Sequence, residues 1–101
     1  MVIRVHKQVE YFIKKLPKVD RADVHAILED IAGYGLKAPL VSMRQIKGKL
    51  WELRISQTRI FYAVIEGDTI VLLHAYKKQG QKAPSREIET ALRRMKQLLE
   101  E

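Results

Sequence analysis

The chain has no cysteine. That excludes disulfides, thiolate nucleophiles and every zinc site that uses sulfur. The three histidines, His6, His25 and His74, lie far apart and share no ligand spacing, so neither a metal nor another cofactor is expected. No uninterrupted apolar run approaches the roughly 20 residues needed to cross a bilayer. The stretch from Met1 to Lys7 lacks the apolar core of an export signal. No repeat, linker or low-complexity tract breaks the sequence. The expectation is a cytoplasmic protein with no membrane contact, folded as one domain over residues 1–101.

Apolar residues make up 47% of the chain, enough for a modest core and too many for a disordered chain. Charge is the informative quantity. Nineteen Lys and Arg against twelve Asp and Glu give +7, a balance that favours polyanionic partners. The excess sits mid-chain: residues 41–82 hold eight basic and three acidic side chains, a net +5, and the rest contribute +2.

Hydrophobic period divides the chain. Val2-Ile3-Arg4-Val5 is short and β-branched, and reads as a strand. Val9, Phe12, Ile13 and Leu16 fall on one helical face, and so do Val24, Ile27, Leu28 and Ile31. Pro17 ends the first helix, Asp20 is the expected cap of the second, and Gly33 and Gly35 stop it. After Pro39 the period changes to two. Leu40–Ile46, Leu50–Ile55, Arg59–Ile65 and Thr69–Tyr76 read as an antiparallel meander with turns at Lys47-Gly48-Lys49, Ser56-Gln57-Thr58 and Glu66-Gly67-Asp68. Pro84 opens a last helix with Ile88, Leu92, Met95 and Leu99 on its stripe. The order is β-α-α-β-β-β-β-α, an α+β domain with helices expected on one sheet face.

Alternation places Trp51, Leu53 and Ile55 on the core side and Glu52 and Arg54 on the open side. The short link then returns Arg59 beside Arg54. Two guanidiniums in one hairpin repel each other and suit a bound phosphate, because the planar fork holds its oxygens in two directions. Lys77, Lys78 and Lys82 follow the last strand, and Lys47 and Lys49 occupy the turn before Trp51. Such lysines are more often plain solvated surface or guards of a strand edge. His74 reads equally as a hydrogen-bonded, half-buried histidine, and Trp51 and Tyr62 as packing residues.

The stretch Gly48-Lys49-Leu50-Trp51-Glu52-Leu53-Arg54-Ile55, followed by Arg59-Ile60-Phe61-Tyr62, resembles the RelE/HigB toxin superfamily, and more narrowly its phage-derived HigB-like branch. Ile70 to Lys78, Lys82-Ala83-Pro84 and Arg86-Glu87-Ile88-Glu89 continue the resemblance. It implies a RelE-like fold: an antiparallel sheet of four to five strands, with an N-terminal helical hairpin and a C-terminal helix packed on it. It also implies the toxin of a type II toxin–antitoxin system, a metal-independent endoribonuclease that enters the ribosomal A site and cuts messenger RNA. The implied partners are the ribosome, its mRNA and a HigA-like helix-turn-helix antitoxin, with operator DNA bound only through that antitoxin.

By the same resemblance, Arg59 matches the family's most widely shared catalytic arginine and Arg54 a basic position on the preceding strand. Lys77 and Lys78 fall where relatives place a group near the scissile phosphate, and His74 is characteristic of the branch. Glu52 stands where some relatives carry a second basic residue. Lys47, Lys49 and Lys82 are expected to bind RNA. Cleavage by the RNA's own 2′-hydroxyl needs a proton acceptor, stabilisation of the charged phosphorane and a proton donor. Arg54 and Arg59 suit the second task. A lysine among arginines, His74 or Glu52 suits the others. Two alternatives stand beside this: a ParE-like toxin acting on gyrase, and a non-catalytic module that binds RNA or protein.

Overall fold

The computed structural model describes residues 1–80 and 84–100. Its elements are β1 (Val2–Val5), α1 (Lys7–Lys14), α2 (Lys18–Tyr34), β2 (Ser42–Lys47), β3 (Leu50–Ile55), β4 (Thr58–Ile65), β5 (Thr69–Lys77) and α3 (Ser85–Leu99). The strands form one sheet in the order β1-β5-β4-β3-β2. The expected meander forms its antiparallel part, through β2–β3, β3–β4 and β4–β5. β1 departs from it: it pairs with β5 in parallel, Val2 opposite Thr69 and Val5 opposite Leu72. Two helices and three strands separate β1 from β5, so hairpin geometry places no constraint on this pair.

The helices do not share a face. Val9 and Ile13 of α1 and Val24 and Ile31 of α2 pack with Leu53, Ile60, Tyr62 and Leu72 on one side. Ala91, Ile88, Leu92 and Met95 of α3 pack with Leu50, Phe61, Ala63, Val71 and Leu73 on the other. The reason lies in the central strands. Residues Thr58 to Ala63 are all buried, as are Ile70 to Leu73. A continuous apolar run of that kind needs cover on both faces.

Local differences follow from backbone chemistry. α2 starts at Lys18 behind Pro17, so Asp20 lies in its first turn rather than at its cap, where its charge still suits the helix dipole. Gly35 ends α2 at φ 78°, a conformation glycine adopts without a Cβ clash. β2 starts at Ser42, which leaves Leu40 exposed. On α3, Leu98 and Ala91 join the packed face while Leu99 stays about half exposed. Phe61 pairs with His74 but Tyr62 with Leu72, so Leu73 is an inserted residue in β5. Such a bulge re-aims side chains; here Leu73 and His74, neighbours in sequence, both meet α3. Among the described residues no helix is long and apolar enough to cross a membrane.

Candidate functional site

Strand register builds the site on the face that carries α3. One row across the sheet runs Ser42, Arg54, Arg59 and Tyr76; the next runs Arg44, Glu52, Phe61 and His74. The apolar residues Leu50, Ala63 and Val71, further along the strands, belong to the cluster that α3 covers. The charged rows lie at the end of the sheet that bears the β3–β4 hairpin. Arg54 and Arg59 are directly paired, as the alternation of β3 and β4 predicts. Directly opposed Cβ atoms stand about 4.5–5.5 Å apart, so the two side chains start from neighbouring positions; Arg54 also borders a cleft lined by Asp23, Ala26 and Asp30 of α2.

Their environments differ. Arg54 is exposed, whereas Arg59 keeps only 8% of its surface accessible. Arg59 Nη1 donates to the carbonyls of Ser56 at 2.6 Å and Thr58 at 3.1 Å. It thereby clamps the hairpin in which Ser56 adopts φ 55°, a left-handed conformation that costs a non-glycine residue energy. Arg59 therefore has a structural task in the hairpin, and its Nη1 is committed to that task.

Glu52 is 1% exposed and fully engaged. Arg44 Nε donates to Oε1 at 3.1 Å, and the Tyr76 hydroxyl donates to Oε2 at 3.0 Å. Burial, the Glu52 charge and this hydrogen bond push the Tyr76 phenol up to about 12, while Arg59 and Arg44 pull it the other way. Tyr76 also stacks on Phe61, with ring centroids 5.5 Å apart. The sequence alone did not single out Arg44 or Tyr76. The signal was available in the register, which sets Arg44 opposite Glu52 and Tyr76 opposite Arg59.

The remaining expected residues do not all converge. His74 lies on the site face but ties β5 to α3: Nε2 meets Glu87 Oε1 at 3.1 Å, and Nδ1 meets Arg94 Nη1 at 3.3 Å. A guanidinium only donates, so Nδ1 accepts, and the ring proton on Nε2 is assigned to the Glu87 bond. The expected meeting of Lys77 with Arg54 and Arg59 does not occur. Tyr76 takes the site face, so alternation turns Lys77 towards α2, where Nζ bonds to Asp20 Oδ2 at 2.9 Å. Lys78 is half-buried beside the hairpin, its backbone N–H donating to Gln57 O at 2.8 Å. Lys47 and Lys49 are exposed around the β2–β3 turn, at the opposite end of β3 from Arg54, roughly 17 Å away at the usual rise per residue. They do not join the arginine pair. Lys82 lies outside the described residues.

A cleft of about 370 Å³ opens where β5 ends and α3 begins, lined by Tyr76, Lys77, Gly80, Arg86 and Glu87 among others. Tyr76 thus reaches from the buried Glu52 carboxylate to an open surface. Among the described residues no group of three or more His, Asp or Glu side chains is placed to hold a metal ion. Preorganised positive charge on a rigid sheet suits the stabilisation of a phosphate whose charge grows during reaction.

The model of a protein family described as "Phage derived protein Gp49-like (DUF891)" matches residues 11–96. A comparison with curated proteins gives no match. Among solved structures, the archaeal RelE–RelB complex from Pyrococcus horikoshii OT3 superposes with a TM-score of 0.67 at 20% identity, over 80% of this chain and 97% of that one. The RelB–RelE antitoxin–toxin complex from Methanococcus jannaschii gives 0.63 at 21%, over 73% and 88%. The isolated E. coli RelE toxin gives 0.60 at 14%, over 93% and 97%.

Proposed function

The chain belongs to the phage-derived Gp49-like family and has the fold of the RelE toxins; from that premise we propose that it is the toxin of a type II toxin–antitoxin system, a ribosome-dependent endoribonuclease of the HigB-like kind. The observation that carries this reading is the register pairing of Arg54 with Arg59 on the sheet face that α3 leaves partly open. In the reaction the RNA 2′-hydroxyl oxygen forms a bond to the adjacent phosphorus. The bond to the 5′-oxygen breaks, the 2′ proton leaves to a base, and the 5′-oxygen takes up a proton. Arg54 and the outer edge of Arg59 offset the charge that builds on the phosphorane oxygens.

Glu52 and His74 are occupied by their partners, which removes them as freely acting bases. Lys77 is held by Asp20, which leaves Lys78 as the ammonium of that pair for the RNA. The chain then supplies mainly charge and shape, and the ribosome supplies the alignment of 2′-oxygen and phosphorus. Alignment alone contributes about 7–11 kcal/mol to such reactions. A HigA-like helix-turn-helix antitoxin is the expected neutralising partner.

Expression of the wild-type chain should arrest growth, and mapped mRNA ends should show breaks within translated frames. Arg54→Ala should lower the cleavage rate about 10²–10³-fold, the usual loss when one transition-state donor is removed. Arg54 is exposed, so folding should survive. Arg59→Lys is the companion variant, since Arg59→Ala also unclamps the hairpin. DNA damage without mRNA breaks would instead indicate gyrase as the target. Harmless expression with intact RNA binding would indicate a binding module.

A further inference from the structure

Arg44 has no part in the proposed chemistry, yet its surroundings are built with care. It stands on edge strand β2 directly opposite Glu52. Its side chain is 46% exposed while that of Glu52 is 1% exposed. Glu52 grips only Nε, so among the described residues both terminal nitrogens of Arg44 remain unpartnered. An exposed arginine needs no carboxylate for solvation, and burying a carboxylate is costly unless every oxygen is satisfied. Glu52 meets that condition only by recruiting a second donor, Tyr76, from β5 across the sheet. The arrangement holds a guanidinium plane in a fixed orientation.

Geometry gives that orientation a purpose. Arg44 and Arg54 are diagonal neighbours across β2 and β3, because their direct partners are Glu52 and Ser42. Arg59 faces Arg54 from β4. Diagonal neighbours in a sheet stand about 7–8 Å apart, within reach of long side chains. The three arginines therefore run across one face, with Arg44 beside the pair that the proposed function assigns to the scissile phosphate.

We propose that Arg44 is a second phosphate-binding residue, taking the phosphodiester next to the one cut in a single RNA strand, and that Glu52 is its positioning residue. This rests on the endoribonuclease reading and extends it from one phosphate to two. The buried Glu52–Tyr76 contact fixes the carboxylate, the carboxylate fixes Nε of Arg44, and the fork beyond Nε meets the phosphate oxygens.

The test is binding of a short mixed-sequence oligoribonucleotide, followed by fluorescence anisotropy over a series of salt concentrations. Arg44→Ala should weaken binding severalfold and reduce the salt slope by about one. Glu52→Ala separates positioning from bulk charge. If only net charge mattered, removing a carboxylate would tighten binding; released from its anchor, Arg44 should instead bind RNA less well. Glu52→Gln should restore binding, because its amide oxygen still accepts from Arg44 Nε and its NH₂ can donate to the Tyr76 oxygen. An unchanged slope in Arg44→Ala, or tighter binding in Glu52→Ala, overturns the proposal. Arg44→Ala strips the buried Glu52 of its charged partner, so Arg44→Gln, whose amide can still donate to Oε1 but carries no charge, is the companion variant and should lose the same salt slope. If Arg54→Ala loses slope and Arg44→Ala does not, this inference alone falls. If wild type shows no salt-dependent binding, the two-phosphate proposal falls; the endoribonuclease reading falls only if induction also leaves translated mRNA unbroken.

Discussion

Burial and the adjacent Glu52 carboxylate raise the Tyr76 phenol to about 12, and burial alone raises Tyr62 equally. Both groups keep their protons in the folded chain at a pH where the unfolded chain, with its ordinary value of 10.0, has released them. Their contribution to stability is complete below pH 10 and is lost as the pH rises towards 12. Two of the four tyrosines should therefore ionise near pH 12, seen in the ultraviolet absorbance of tyrosinate, with folding stability falling over the same interval. Glu52→Gln removes the neighbouring negative charge, so it should lower the Tyr76 step and leave the Tyr62 step in place. Ionisation complete near pH 10 in the folded protein would contradict the burial of both rings. At this scale the sequence was informative wherever strict alternation held. Arg54 and Glu52 share the side that β3 assigns them. Lys77 was misplaced because its side depends on a bulge four residues upstream, and a bulge has no reliable signature in sequence.

Elements were legible from period, whereas their placement was not. All three helices and the four-strand meander are where the 3.6- and two-residue repeats set them, with ends shifted by a few residues. The partner face of α3 was not readable from its own stripe. That face is decided by the two-sided burial of β4 and β5, a property of other segments. The stripe itself was drawn through Leu99 because alanine carries little weight in a hydrophobic pattern, yet Ala91 is fully buried against the sheet. A small residue there lets α3 approach closely. Ala91→Leu should overpack the contact and cost about 1–3 kcal/mol, which lowers Tm by about 4–8 °C per kcal/mol in a domain of this size. Leu99→Ala, at a half-exposed position, should shift Tm far less. Thermal melts of the two variants check the ranking, and a reversed order would place the axis of α3 elsewhere.

In the whole molecule, β1, β5, α1 and α3 meet at His6. Its backbone N–H donates to Leu72 O at 2.9 Å and closes the parallel pair, and its Nδ1 accepts from the Gln8 N–H and caps α1. Burial first, then the charges of Arg94 on α3 and His74 on β5, hold the imidazole below its ordinary 6.5. The unfolded chain has none of these neighbours and takes up a proton near 6.5, whereas the folded chain resists until lower pH. Within that window the unfolded state binds more protons, so stability rises with pH, levels off above about 6.5 and falls on acidification. Burial and the Arg94 charge thus bear on the residue that stitches the N-terminal strand to the sheet, and acid acts on that junction. His6→Asn keeps an oxygen able to cap α1 and removes the titrating group. The drop in Tm between neutral pH and pH values below 6 should be smaller in His6→Asn than in wild type, with little difference between them at neutral pH. An identical acid response in the two proteins would mean that His6 does not carry the pH dependence, and that protonation of carboxylates accounts for it.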